Sequence, residues 1–253
     1  MTGRDINIVP YDLDAGVAAR AAIGLVVLAS DHTLEYEFQS VLPQPGVAVY
    51  VSRIEMSPRI TPETLHEMTG RITANVANIL PGQKLDTVCF CCTSASMAIG
   101  EKAVFDLIRQ DRPDAACTTP ITAAFAAFEA LDVRRIGLLT PYREDVNHLL
   151  RDYIEARGLE VVRFDAFDQE DDNVVGRISE DSVYRAALEV GRGEQVDAVF
   201  VSCTNLRFIE RIEELEAELG KPVVSSNQAL SWHALRLAGI TDKTPQFGSL
   251  FSL

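Results

Sequence analysis

Positive charge is scarce in this chain of 253 residues: 23 Lys and Arg stand against 37 Asp and Glu, a formal net charge of −14. Phosphate backbones and anionic membrane surfaces would repel such a chain at long range, which excludes nucleic acid and membrane as its main partners. The only lysines are Lys84, Lys102, Lys221 and Lys243, and none sits in an apolar run as a Schiff-base lysine would. No stretch reaches the ~18 unbroken apolar residues of a membrane helix, and Asp5, Asp12 and Asp14 stand where a secretory leader would be basic and then apolar. A cytoplasmic protein is therefore expected. The five cysteines, Cys89, Cys91, Cys92, Cys117 and Cys203, are odd in number with four of them in the first half, which fits reduced thiols rather than a disulfide framework.

Short β-branched apolar runs alternate with amphipathic helical stretches from about residue 21 onward. The runs predict strands over 23–29, 47–51, 86–91, 136–140, 160–164, 198–202 and 223–225, and helices over 62–80, 95–110, 121–131, 143–157, 179–193, 206–219 and 228–238. The chain also repeats itself. Ile23-Gly24-Leu25 reads like Ile136-Gly137-Leu138, and Asp86-x-Val88-x-x-x-Cys92-Thr93 reads like Asp197-x-Val199-x-x-x-Cys203-Thr204, at nearly the same offset. The pattern predicts an α/β fold of two pseudo-symmetric, doubly wound, flavodoxin-like parallel-sheet halves, with the active site in the cleft between them. The expected division is an N-terminal extension (1–20), a first half (21–132) on which 240–253 packs back, and a second half (133–239).

Both Cys-Thr pairs fall at the carboxyl end of a strand, where open α/β sheets bind ligands. A thiol before a helix meets unpaired amides and the positive end of the helix dipole, so Cys92 and Cys203 are expected to have lowered pKa values. Ser94 and Asn205 are the expected N-caps of the helices that follow, and the same amides would cradle a substrate carboxylate. Two facing thiols suit deprotonation on one side of a carbon with protonation on the other, or addition to an activated double bond, rotation and elimination. No cofactor and no metal is required, since Cys89, Cys91 and Cys117 read as small core residues without a second ligand pair or a nearby His.

The stretches Cys92-Thr93-Ser94-Ala95-Ser96, Ser202-Cys203-Thr204-Asn205-Leu206, Val133 to Tyr142 and Lys221 to Asn227 together resemble the aspartate/glutamate racemase superfamily. The branch of maleate cis-trans isomerases, arylmalonate decarboxylases and ectoine-utilisation proteins is the most similar. The resemblance implies cofactor-independent chemistry with one cysteine from each half, Cys92 adding to the substrate double bond and Cys203 assisting. It also implies that Tyr142 contacts a substrate carboxylate and that Asn173 corresponds to an asparagine of a later loop. Thr93, Ser94, Thr204 and Asn205 complete the expected substrate cradle. Two departures stand out: Ser30-Asp31-His32-Thr33-Leu34-Glu35 has Asp31 where maleate isomerases resemble one another in having Asn, and Ser94 likewise replaces an Asn. Asp31 would suit a substrate ammonium or take a proton from a thiol, whereas Cys92 stands where the decarboxylases have Gly.

Three functions follow as expectations: a two-cysteine isomerase of a small carboxylate, most like maleate isomerase; a racemase of an amino acid or derivative that uses the same pair as acid and base; and a non-catalytic small-molecule sensor. Apolar helix faces are compatible with a homo-oligomer. Asp165 to Asp172 reads as a solvated loop, and Arg134 and Arg135 sit at the strand end away from the expected site.

Overall fold

Eight strands arise where Val, Ile, Leu, Ala and Cys cluster: β1 (Ala21–Leu28), β2 (Val47–Ile54), β3 (Thr87–Cys91), β4 (Ala116–Thr118), β5 (Arg135–Thr140), β6 (Glu160–Ala166), β7 (Ala198–Val201) and β8 (Val223–Ser225). They form two four-stranded sheets, ordered β2-β1-β3-β4 and β6-β5-β7-β8, in which every pairing is parallel. The shared order bears out the expected duplicated α/β architecture. All eight residues of β1 are buried, as a central parallel strand covered on both faces requires. The computed structural model describes residues 6–43 and 45–253; Asp5 and the rest of 1–5 lie outside the described residues.

The repeated motifs have physical reasons. Asp86 accepts the Ala22 amide at 2.9 Å and Asp197 accepts the Arg135 amide at 2.8 Å, so each Asp anchors the start of the neighbouring central strand. Gly24 and Gly137 lie where a Cβ would strike the layer packed on the sheet: Leu85 Cδ1 at 2.9 Å for Gly24, and the Val190 carbonyl oxygen for Gly137. Arg135 pairs with Asp197 at that same sheet end, away from the cysteines.

Helices α1 (Leu34–Ser40), α2 (Pro62–Glu67), α3 (Ile72–Ala77), α4 (Thr93–Ile99), α5 (Glu101–Arg109), α6 (Pro120–Ala130), α7 (Glu144–Glu155), α8 (Asp172–Val175), α9 (Glu180–Gly191), α10 (Ile212–Leu219) and α11 (Ser226–Leu237) flank the sheets. Several depart from expectation. The helix predicted over 62–80 breaks into α2, a 3-10 turn at Met68–Arg71 and α3. Gly100, at φ 92°, ends α4 and starts α5, dividing the helix predicted over 95–110. The stretch after Cys203 first turns helical as a 3-10 turn at Ile209–Arg211 and becomes α-helical only at Ile212. Helix α11 follows β8 but packs on α6 and β3, and the Thr87 hydroxyl donates to the Ala234 carbonyl at 3.3 Å, so it joins the halves. The C-terminal 3-10 turns rest on α10 and α11, with Gln228 Nε2 donating to the Phe247 carbonyl at 2.7 Å. Among the described residues no helix is long and apolar enough to cross a membrane.

Candidate active site

Cys92 directly follows β3 and Cys203 lies two residues beyond the end of β7, and the two line one cavity together with Thr93, Ser94, Tyr142, Asp172 and Thr204. Leu28, Met56, Ile60 and Leu65 close it, leaving only about 10 Å³ between the walls. That is room for at most one water. The cover is pinned to the second half: Ile60 N donates to Glu170 O at 2.8 Å and Asp172 N to Pro58 O at 2.9 Å.

Cys92, in extended conformation, is itself the N-cap of α4, its Sγ accepting the Ala95 amide at 3.4 Å. Ser94 is therefore no cap but the second residue of the helix, with its hydroxyl 3.6 Å from the same sulfur. Nor does Asn205 cap a helix. Its Oδ1 accepts the His32 amide at 2.8 Å and its Nδ2 donates to the Asp172 carbonyl at 2.8 Å, strapping the first half to two segments of the second. The Asn205 amide donates to Cys203 Sγ at 3.4 Å. Ser226 links the two cysteine loops: it meets the Thr93 hydroxyl at 3.0 Å and accepts the Cys203 amide at 3.1 Å.

Electrostatics overturn the expected thiol acidity. Burial pushes the Cys92 thiol up to about 12 and raises Cys203 well above the ordinary thiol range, with Asp172 and Asp31 adding like charge at both. One amide at each sulfur is too little to offset the loss of water. In the closed cavity both cysteines are thus neutral thiols. The Tyr142 hydroxyl lies beside both Cys203 and Ser94, and its own pKa is raised by burial and then by the two thiols.

The carboxyls are perturbed as well. Burial lifts Asp31 to about 6 against two backbone hydrogen bonds, from Leu34 and Thr33, to its Oδ1 (2.8 Å each). The Thr204 hydroxyl lies beside Asp31 and also holds its pKa down, although among the described residues the buried Oδ2 accepts no well-formed hydrogen bond. Asp31 stands just behind the cavity wall rather than in it. Burial also raises Asp172, against the Ser30 hydroxyl that donates to it.

The acidic stretch 165–172 is therefore not wholly a solvated loop. Asp171 caps the single turn α8, and that turn carries the adjacent Asp172, 2% exposed, into the cavity. Asn173 points away: its Oδ1 meets the exposed His32 ring at 3.2 Å, and it is not among the residues lining the cavity. The sequence signal for Asp172 was the N-cap type at Asp171 ahead of Val174-Val175-Gly176. The cover residues carried no such signal. Thr119 and Ser225 serve as caps of α6 and α11. Among the described residues no group of three or more His, Cys, Asp and Glu is placed to hold a metal ion.

Known proteins resemble this chain over most of its length. The family model described as arylmalonate decarboxylase matches residues 23–251. A maleate isomerase of Nocardia farcinica is 28% identical over 242 residues, covering 90% of this chain and 94% of its own. An arylmalonate decarboxylase of Bordetella bronchiseptica is 33% identical over 137 residues, 53% of this chain and 57% of its own. Among solved structures, a mutant Nocardia farcinica maleate cis-trans isomerase with a covalently bound succinylcysteine intermediate superposes with a TM-score of 0.83 at 26% identity, covering 92% of this chain and 98% of that one.

Proposed function

From the premise that the chain belongs to the arylmalonate decarboxylase family, we propose that it is a cofactor-independent isomerase of a small unsaturated carboxylate, using Cys92 as nucleophile and Cys203 as its acid–base partner. The observation that carries this is the pair of thiols, one from each half, on the walls of a single enclosed cavity. The cover formed by Met56, Ile60 and Leu65 must swing away for substrate to enter and close again to exclude water.

Once Cys92 has lost its proton to Asp172, the carboxylate on the cavity wall, its sulfur adds to one alkene carbon. The π pair moves onto the neighbouring carbon, into conjugation with the substrate carboxylate, and Cys203 protonates that carbon. The former double bond is then single and rotates. Cys203, now thiolate, takes a proton back from the same carbon, the alkene re-forms in the other geometry, the C–S bond breaks, and the sulfur pair stays on Cys92. The hydroxyls of Thr93, Ser94, Tyr142 and Thr204 hold the carboxylate end, and a protonated Asp172 can donate to a second one.

Pure protein incubated with maleate should produce fumarate, and Cys92→Ala should abolish the product. An intact, folded protein that leaves a panel of unsaturated C4 and C5 acids unchanged would reject the proposal.

A second reading, racemisation of an amino acid or derivative, is favoured by one specific observation: two buried carboxyls, Asp31 and Asp172, lie beside the thiols, while no residue lining the cavity is basic. That balance suits a substrate ammonium. Exchange of an α-proton for deuterium in heavy water, without maleate turnover, would select it.

A further inference from the structure

Resting on Cys203 as a reacting thiol, the geometry points to Glu37 as a positioning residue that aims the Asn205 amide at the Cys203 sulfur, acting through Asn227 from the opposite half of the molecule. Glu37 lies on α1 of the first half and is fully buried. No cation neutralises it. Its Oε1 accepts the amides of Phe208 and Ile209, the latter at 2.8 Å, and its Oε2 accepts Asn227 Nδ2 at 2.7 Å. A buried carboxylate is expensive to keep, and burial raises it to about 7 although these three donors pull it back down.

The same Asn227 Nδ2 also donates to the Thr204 carbonyl at 2.8 Å. The Thr204 carbonyl and the Asn205 N–H belong to one planar trans peptide, so they point in opposite directions. Fixing the carbonyl on Asn227 therefore fixes the N–H toward Cys203, which it reaches at 3.4 Å. That amide and the Tyr142 hydroxyl are the two groups that favour the thiolate form of Cys203, against Asp172 and Asp31, which oppose it. Among the described residues Asn227 Oδ1 has no hydrogen-bond partner, so the two acceptors on its nitrogen side, Glu37 and Thr204, hold the amide in this orientation. In Glu37→Gln an amide group can take the place of Oε2. Asn227 then turns its oxygen toward the new donor, and Thr204 is released. Phe208 and Ile209 keep an acceptor in that variant.

Cys92 provides the internal control, because among the described residues its sulfur takes hydrogen-bond contacts from Ala95 and Ser94 of its own half alone. Both thiols would be alkylated with iodoacetamide from neutral to alkaline pH in the full-length protein, and each quantified by peptide mass spectrometry. The ratio of the Cys203 rate to the Cys92 rate cancels the opening of the cavity that both require. Glu37→Gln should lower this ratio about tenfold and move the Cys203 profile to higher pH, and Asn227→Ala should do the same. A ratio within about twofold of the unaltered protein, or an equal slowing of both thiols, would overturn the assignment. If Glu37→Gln does not unfold cooperatively, Asn227→Ala, which leaves Glu37 its two backbone donors, decides the matter. No substrate enters the measurement, so absence of turnover on any acid would defeat the proposed function without touching this result.

Discussion

The two thiols occupy equivalent places after equivalent strands, yet they are held differently. Cys92 caps a regular helix of its own half. Cys203 opens an irregular stretch, 204–208, that the other half ties down through Glu37, Thr33 and the Asn205–His32 bond. Duplication therefore set the strand order and the two sulfur positions, whereas later divergence of the loops set what surrounds each sulfur. A symmetric acid–base pair would need no such inequality. A nucleophile with a separate proton donor does, since the two must differ in when they ionise.

The largest expected effect probes that inequality directly. Cys92→Ala should lower turnover by more than about 10⁴-fold, while in Cys203→Ser water must supply the proton that completes addition and no thiolate is left to take it back, so the reaction should stall as an adduct on Cys92, as intact-mass measurement would show. Equal loss with no adduct in either variant would point to a symmetric pair instead. Next, Tyr142→Phe removes the hydroxyl beside both Cys203 and Ser94. It should cost about 10²-fold in kcat with little change in thermal midpoint, and an unchanged kcat would remove Tyr142 from the reaction.

The same comparison applies to the scaffold. Gly137→Ala drives a methyl into the Val190 carbonyl, a backbone atom, and should destabilise by about 2–3 kcal/mol in denaturant titrations. Gly24→Ala meets only the end of the Leu85 side chain, which can turn aside, and should cost about 1 kcal/mol or less. Equal losses would mean that the two sheets are not packed in the different ways described.

The smallest effect concerns Asp31. Its pKa rises from 3.8 unfolded to about 6 folded. The folded state thus binds the proton more tightly, so the contribution of this group is greatest below pH ~4 and is lost as pH climbs toward 6. Asp31→Asn should stabilise by about 1–2 kcal/mol at neutral pH and by much less at pH ~4, as thermal melts at the two pH values would show. A gain of the same size at both would remove the titration from the explanation.

The strands and their duplication were legible in the sequence because a buried parallel strand must be apolar on both faces, and because Asp86, Asp197, Gly24 and Gly137 meet the same local demands twice. Helix α1 was not among the predicted helices: Leu34, Phe38 and Val41 have helical spacing, but the polar start of the segment disguised it. Strand β4 has only three residues, too few to show a period. The helix expected over 206–219 is present but starts late, because Glu37 and Asn227, distant in sequence, claim the backbone after Cys203. Cys92 and Cys203 could be placed in one cavity from spacing alone. Asp172 could not, because an acidic run looks solvated until the far half folds over it. The expected low thiol pKa failed for a related reason: local amides are visible in sequence, while burial is a property of the assembled cleft.

The central claim, that two inequivalent thiols share one pocket for addition and elimination, meets its most direct test in peptide mass spectrometry of Cys203→Ser protein soaked with maleate. One succinyl group on Cys92, with Cys89, Cys91 and Cys117 unmodified, is the predicted result. A folded protein that carries no adduct on Cys92, or carries it on another cysteine, would contradict the claim.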